Sequence, residues 1–149
     1  MGKRFECPSA VMLLLTRKNG GSEELLFQKR KNTGYYDGFY DLSASGHVDA
    51  DESMKQAMCR EAKEELGIDI KEEDLEFVCI IHKNTDGCVY YNGYFKATKW
   101  IGEPEIKEPH KNEELRWIDI NNLPSNIVND RFLAIENYKN NIKYSEYGW

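Results

Sequence analysis

The segment GHVDADESMKQAMCREAKEELGI, Gly46 to Ile68, constrains this chain more than any other stretch. Gly46 and Gly67 bracket it, His47 to Asp51 form a polar lead-in, and the residues between read as a helix. At roughly 100° per residue, Glu61, Glu64 and Glu65 fall within an arc of about 100°, with Ala57 in the same sector. That arc overlaps the stripe of Met54, Met58, Ala62 and Leu66, the face expected to pack against the rest of the protein. The three carboxylates therefore cannot all point into bulk water. Glu52 is expected in the first turn, where the helix dipole favours negative charge. Arg60 lies four residues before Glu64 and can pair with it, but one guanidinium does not neutralise three acids. A bound divalent cation is the natural complement.

An isolated Lys-Glu-Glu run is ordinarily a solvated helix face held by i,i+4 pairs. The full spacing sets this segment apart. Gly46, five residues, Glu52, seven residues, Arg60-Glu61 and then Ala62-Lys63-Glu64-Glu65-Leu66-Gly67-Ile68 resemble a complete Nudix box, with every fixed position matched. The flanks are similar to that family as well: an apolar first strand, a strand bearing Gln28 and Arg30, and a downstream Glu-rich segment ending in Trp117. One departure precedes the box. Many members have a Pro-Gly-Gly lead-in, whereas this chain has Ser43-Ala44-Ser45-Gly46.

With 149 residues and 40% hydrophobic content, the chain is expected to form one soluble domain with a proper core. Its formal charge of −6 argues against an extended nucleic-acid surface and suits metal capture. Cys7, Cys59, Cys79 and Cys88 show no CxxC pairing and no signal peptide is evident, so reduced thiols in a cytoplasm are expected. The longest apolar run, Val11 to Leu15, is far short of the roughly 18 residues that cross a bilayer, so no membrane partner is expected.

Ala10 to Thr16 reads as a buried strand, Asn19-Gly20-Gly21 as a hairpin turn and Glu24 to Lys31 as the partner strand. A loop rich in aromatics and glycine, Gly34 to Tyr40, leads into a short strand at Asp41 to Ala44. Phe77 to Lys83 and Cys88 to Lys96 read as two more strands joined by Asn84-Thr85-Asp86-Gly87, and Leu115 to Ile118 as a late one. From Pro124 onward, Ile127, Val128, Phe132, Leu133, Ile135 and Tyr138 keep helical spacing. Strands flanked by two helices imply an α/β class domain in three layers. The resemblance implies the same, a Nudix-like α/β/α sandwich with a mixed sheet.

The resemblance also implies an activity: metal-dependent hydrolysis of the diphosphate linkage in a nucleoside diphosphate derivative. A nucleoside triphosphate, releasing a monophosphate and pyrophosphate, is the first expectation. ADP-ribose, nucleotide sugars and dinucleoside polyphosphates are alternatives, as are a prenyl diphosphate isomerase and a catalytically silent nucleotide-sensing module. By resemblance, Glu61, Glu64 and Glu65 hold Mg²⁺ or Mn²⁺, the carbonyl near Ser45 adds a ligand, Arg60 orients the glutamates and Glu61 serves as base. Carboxylates suit such hard cations. Glu114 is the first choice for a fourth acid from the later loop, and His110 reads as a surface residue. For a nucleotide substrate, Arg30 is a phosphate contact, Tyr36 a stacking ring on a loop able to act as a lid, and Asp130 a group reading a base edge. The protein is expected to work as a monomer or homodimer.

Overall fold

The computed structural model describes residues 2–149. Its organising element is strand β1, Ser9–Asn19, in which Val11 to Leu15 are buried on both faces. An uninterrupted apolar run is what a strand requires when both sides of its sheet are covered. Val11, Leu13 and Leu15 join the core formed with helix α1, Met54–Leu66, through Ala57, Met58, Ala62 and Leu66. Met12 and Leu14 point to the opposite core, which takes Ala134 and Ile135 from helix α2, Asn129–Asn140. The period-two alternation of one strand thus builds both cores of an α/β/α sandwich.

The sheet is mixed. β1 pairs antiparallel with β2, Ser22–Arg30, through Thr16 to Asn19, and parallel with β6, Cys88–Ala97, through Ser9 to Leu15. Strand β5, Glu76–Thr85, continues the sheet beyond β6. Its hairpin to β6 turns on Asp86 and Gly87, both at positive φ (53° and 81°), the geometry that two-residue hairpins favour. Strand β7, Asn112–Asp119, lies antiparallel to β2.

Two expectations are corrected and one strand is added. The single strand at Asp41 to Ala44 is two: β3, Tyr40–Leu42, pairs with β2, and β4, Ala44–His47, pairs with β1. The chain changes partner at Ser43, filling the wedge where β1 and β2 part, and a side-chain pattern does not reveal which neighbour a strand joins. Helix α2 begins at Asn129, not near Pro124. Tyr40 claims the backbone before it, donating from its N–H to the Asn126 carbonyl and accepting from Val128 N–H. Finally, Tyr144–Tyr147 forms an eighth strand, β8, parallel to β5 at the sheet edge. Its short, half-exposed pattern resembles a tail.

Candidate active site

Helix α1 is capped by Ser53, whose hydroxyl accepts from Gln56 N–H while the Gln56 side chain accepts from Ser53 N–H. Glu52 therefore lies outside the helix, contrary to its expected place in the first turn, and no acid occupies that turn. Its carboxylate instead takes two hydrogen bonds from Arg60, at 2.6 and 3.1 Å, and one from Asp49 N–H at 2.9 Å. These bonds, the Arg60 contact foremost, hold the Glu52 carboxyl below its ordinary range. At the other end Gly67, left-handed at φ 72°, closes the helix onto the Lys63 carbonyl.

Three consecutive residues of β4 are tied to α1. Ser45 N–H donates to Glu65 Oε2 at 2.7 Å, the His47 carbonyl accepts from Arg60 Nη2 at 3.0 Å, and between them the Glu61 carboxyl lies directly against Gly46. A Cβ at Gly46 would occupy the space of the Glu61 carboxyl, so the glycine is a steric requirement of the acid one layer away. Spacing by four puts Glu61 and Glu65 one turn apart and aims both at this strand.

Arg60 gathers the rest. Its Nη1 donates to Glu61 at 2.8 Å and to Glu64 at 3.3 Å, so oxygens of both acids converge on one point. The hydrogen bonds it donates to Glu52, then to Glu61, raise its already high pKa. Glu64 is the exposed member, its side chain 57% accessible. Desolvation raises the Glu61 carboxyl above its ordinary value, against the pull of Arg60. Half-buried Glu65 is pushed up to about 9, chiefly by desolvation and further by the charges of Glu61 and Glu108, with the Ser45 N–H opposing.

Among the described residues, no three His, Cys, Asp or Glu side chains are arranged as a finished metal cage. The donor chemistry nevertheless fits a hard cation: every nearby ligand is a carboxylate oxygen, and Glu65 carries a desolvated carboxyl whose ionised form lacks a counter-charge. The acid from the later loop that acts electrostatically on Glu61 and Glu65 is Glu108. Glu114 does not take that place. It pairs with Lys29 across the β2–β7 ladder and accepts the Tyr40 hydroxyl at 2.7 Å. His110 is exposed, as read from the sequence.

Beside Ser45, Gly46 and His47 a cleft of about 480 Å³ opens on the α2 side of the sheet. Arg30, Lys83 and Arg131 line it, above two buried carboxylates. Arg131 donates to Asp41 at 2.9 Å and Asp130 at 2.7 Å, Arg30 to Asp41 at 3.1 Å, and Lys83 to Asp130 at 3.3 Å. Arg30, expected as a phosphate contact, lies in the cleft wall with its guanidinium bonded to Asp41 and to the Tyr35 carbonyl. Asp130 does not read a ligand edge: Lys83 and Arg131 take up its buried carboxylate and hold it ionised below the cleft. Tyr36 is not a cleft residue either. Its ring packs edge-on against Tyr35 and Phe39, and Tyr35 is the ring that lines the cleft. The loop expected to act as a lid is braced: the Asp37 carboxylate accepts from Thr33 N–H, the Thr33 hydroxyl and Gly34 N–H, and Arg30 Nε donates to the Tyr35 carbonyl at 2.7 Å.

Sequence reasoning missed Arg131, Lys83 and Asp41. Arg131 carried a readable sign, since it sits four residues after Ile127 and four before Ile135, on the apolar stripe of its own helix. A charge on that stripe must be paired.

A family profile of the NUDIX domain matches residues 7–138, and the chain belongs to that family. It is 39% identical over 70 residues to an uncharacterized Nudix hydrolase of Clostridium acetobutylicum, a match taking in 45% of this chain. The chain spans 32% of that relative's length. Its structure is similar to the MutT NUDIX hydrolase of Burkholderia pseudomallei, with TM-score 0.78, 26% identity, and coverage of 89% of this chain and 98% of the other. The NUDIX domain of Shewanella oneidensis NrtR, solved in complex with ADP ribose, shares the fold at TM-score 0.73 and 17% identity, covering 94% of this chain and 91% of that one.

Proposed function

We propose that the protein is a divalent-cation-dependent pyrophosphohydrolase acting on nucleoside diphosphate derivatives, with a nucleoside triphosphate as the preferred substrate, cleaved to a monophosphate and pyrophosphate. The observation that carries this reading is the fastening of Glu61 and Glu65 to β4 at the edge of a cation-lined cleft. Glu61, Glu64 and Glu65, with the Ser45 carbonyl, would hold Mg²⁺ or Mn²⁺. When bound, the ion neutralises diphosphate oxygens and lowers the pKa of a water.

The chain's own residues supply the rest. Arg60 fixes Glu61 and Glu64 relative to Glu52 and β4, so the acids are oriented before substrate arrives. Glu61, raised by desolvation yet touched by Arg60, is suited to take the proton of the attacking water. Arg30, on the cleft wall, faces the side on which substrate phosphates would lie.

A substrate panel with Mg²⁺ tests this: nucleoside triphosphates, ADP-ribose, nucleotide sugars and dinucleoside polyphosphates, with products identified by ion-pair chromatography. Nucleoside monophosphate and pyrophosphate from a triphosphate is the expected result. Phosphate release alone, or no turnover of any member, would reject the reading.

A further inference from the structure

Asn92 sits on β6 between Ala10 of β1 and Ile81 of β5, in the middle of the sheet, and is 3% exposed. It lines the cleft, yet its Oδ1 receives no hydrogen bond. Native structures leave few such groups, because a buried acceptor without a donor gives up its bonds to water and gains none in return. The Thr85 hydroxyl, four residues beyond Ile81 on the same face of β5, is also buried without a partner and lines the same cleft. Among the described residues only Ser43 Oγ shares this condition. Two of the three orphans therefore lie in one cavity.

The cationic side chains and the imidazole of the cleft are engaged. Arg30, Lys83 and Arg131 are bonded to Asp41 and Asp130, and the His47 ring meets the Tyr90 hydroxyl at 3.1 Å. Asn92 has hydrogen-bonding capacity to spare, and it is set against apolar Ala10 and Met12. A planar ligand with a polar edge fits those surroundings. His47 is also two strand spacings away in the same row of the sheet, about 10 Å from Asn92. A ribose and one phosphate bridge such a gap.

We infer that Asn92, with Thr85 further along the cleft, is the specificity-determining residue that reads the hydrogen-bonding edge of the nucleobase. This rests on the reading of β4 and α1 as the diphosphate end of the site. The Asn92 oxygen accepts from a ring or exocyclic N–H of the base, which supplies the donor that the protein withholds.

The test compares Asn92→Leu and Asn92→Ser with the wild type in three measurements: Mg²⁺-supported kinetics with ATP, GTP, CTP and UTP, calorimetric binding of the four free nucleosides without metal, and thermal melts. For the best nucleotide, KM should rise about tenfold with kcat within about twofold, as for a lost uniform contact. The ratio between best and worst base should collapse, and the melting temperature should hold or rise, because no protein hydrogen bond is removed. Unchanged KM and base ratios in the folded variants overturn the inference. So does failure of both variants to fold, since an orphaned amide has no structural bond to lose. If the wild type turns over none of the four nucleotides, the proposed hydrolysis falls on its own and nucleoside binding decides the matter. Binding that Asn92→Leu abolishes sustains the role of Asn92; equal binding, or none by the wild type, refutes it.

Discussion

Around Arg60, the acids Glu52, Glu61 and Glu64 contend for one guanidinium while Glu65 stands behind them with a single backbone N–H; around Arg131, two aspartates are shared among three cations. Both clusters lie next to the same cleft and are made from the same kinds of side chain. The first is left with surplus negative charge, and its Glu61 and Glu65 are shifted upward chiefly by desolvation, with neighbouring carboxylates adding to it. The second closes on itself, and its Asp130 stays ionised although it is buried. A cluster with unmatched charge is built to bind; one that satisfies itself is built to hold two elements in place. Arg131 joins α2 to β3 in this way, and Arg30 joins β2 to β3.

The largest effect should come from breaking the self-satisfied cluster. Arg131 is 12% exposed and leaves both aspartates buried if it is lost. Arg131→Met should therefore destabilise the fold by about 3 kcal/mol in urea denaturation, the low end for breaking a buried ion pair, because Arg30 and Lys83 still face the two aspartates. Arg60→Met, at a guanidinium whose side chain is 30% exposed, should cost about 1 kcal/mol of stability while removing most activity. Equal stability losses at the two arginines would erase the distinction between the clusters.

Chemistry should respond in the opposite sense. Glu65→Gln keeps volume, helix propensity and an oxygen for the Ser45 N–H, yet removes the charge a cation requires. Turnover should fall at least about 100-fold, on the order of 3 kcal/mol in the barrier, with a melting temperature at or above that of the wild type. Glu64→Gln should act likewise, and chelation should abolish turnover in the parent. A folded Glu65→Gln protein working at near wild-type rate would remove that residue from the ligand set.

The unmatched charge also predicts a pH dependence. The Glu65 carboxyl is raised from an ordinary value of 4.5 to about 9. Such an acid binds its proton more tightly folded than unfolded, so it adds stability below 4.5 that is lost as pH climbs through about 9. Metal favours the ionised form and competes with that proton. Its affinity should rise by up to about tenfold per pH unit until the carboxyl titrates. Calorimetry at pH 7 in two buffers of different ionisation enthalpy should find about one proton released per bound ion from the wild type and none from Glu65→Gln. A pH-independent affinity would show that Glu65 is already ionised.

The helix face and the first strand are legible in the sequence for a physical reason. Helical periodicity is local, so the shared face of Glu61, Glu64 and Glu65 could be drawn from spacing alone, as could the double burial of β1 from its unbroken apolar run. Partner choice is not local. The division of Tyr40 to His47 between β2 and β1 depends on where those strands part, and Gly46 shows its reason only when Glu61 lies against it. The same limit explains Asp130 and Tyr36. Residue type marked them as polar or aromatic near the cleft, but burial turned Asp130 into a counter-ion and neighbour packing put Tyr35 in front of Tyr36. Asn92 had no sign in sequence at all, because a lone Asn in a strand is unremarkable until its partners are counted.

The smallest expected effect separates two acids of the later loop, of which the sequence reading put Glu114 first. Glu114 accepts from Tyr40 and lies opposite Lys29 in the ladder, on the edge of the sheet. Glu108 raises both of those carboxyls through its charge and is otherwise held only by Lys111 at 3.4 Å. An acid so placed adds to the negative potential that attracts a cation, and its loss is felt in metal affinity before turnover at saturation. Glu108→Gln should therefore weaken Mg²⁺ activation about five- to tenfold, within the reach of one nearby charge at intermediate dielectric. Glu114→Gln keeps an acceptor for Tyr40 and should change the Mg²⁺ activation constant by less than about twofold, as surface charges away from a site do. Titrating Mg²⁺ into both variants at saturating nucleotide decides between them, and a reversed order would return the fourth acid to Glu114.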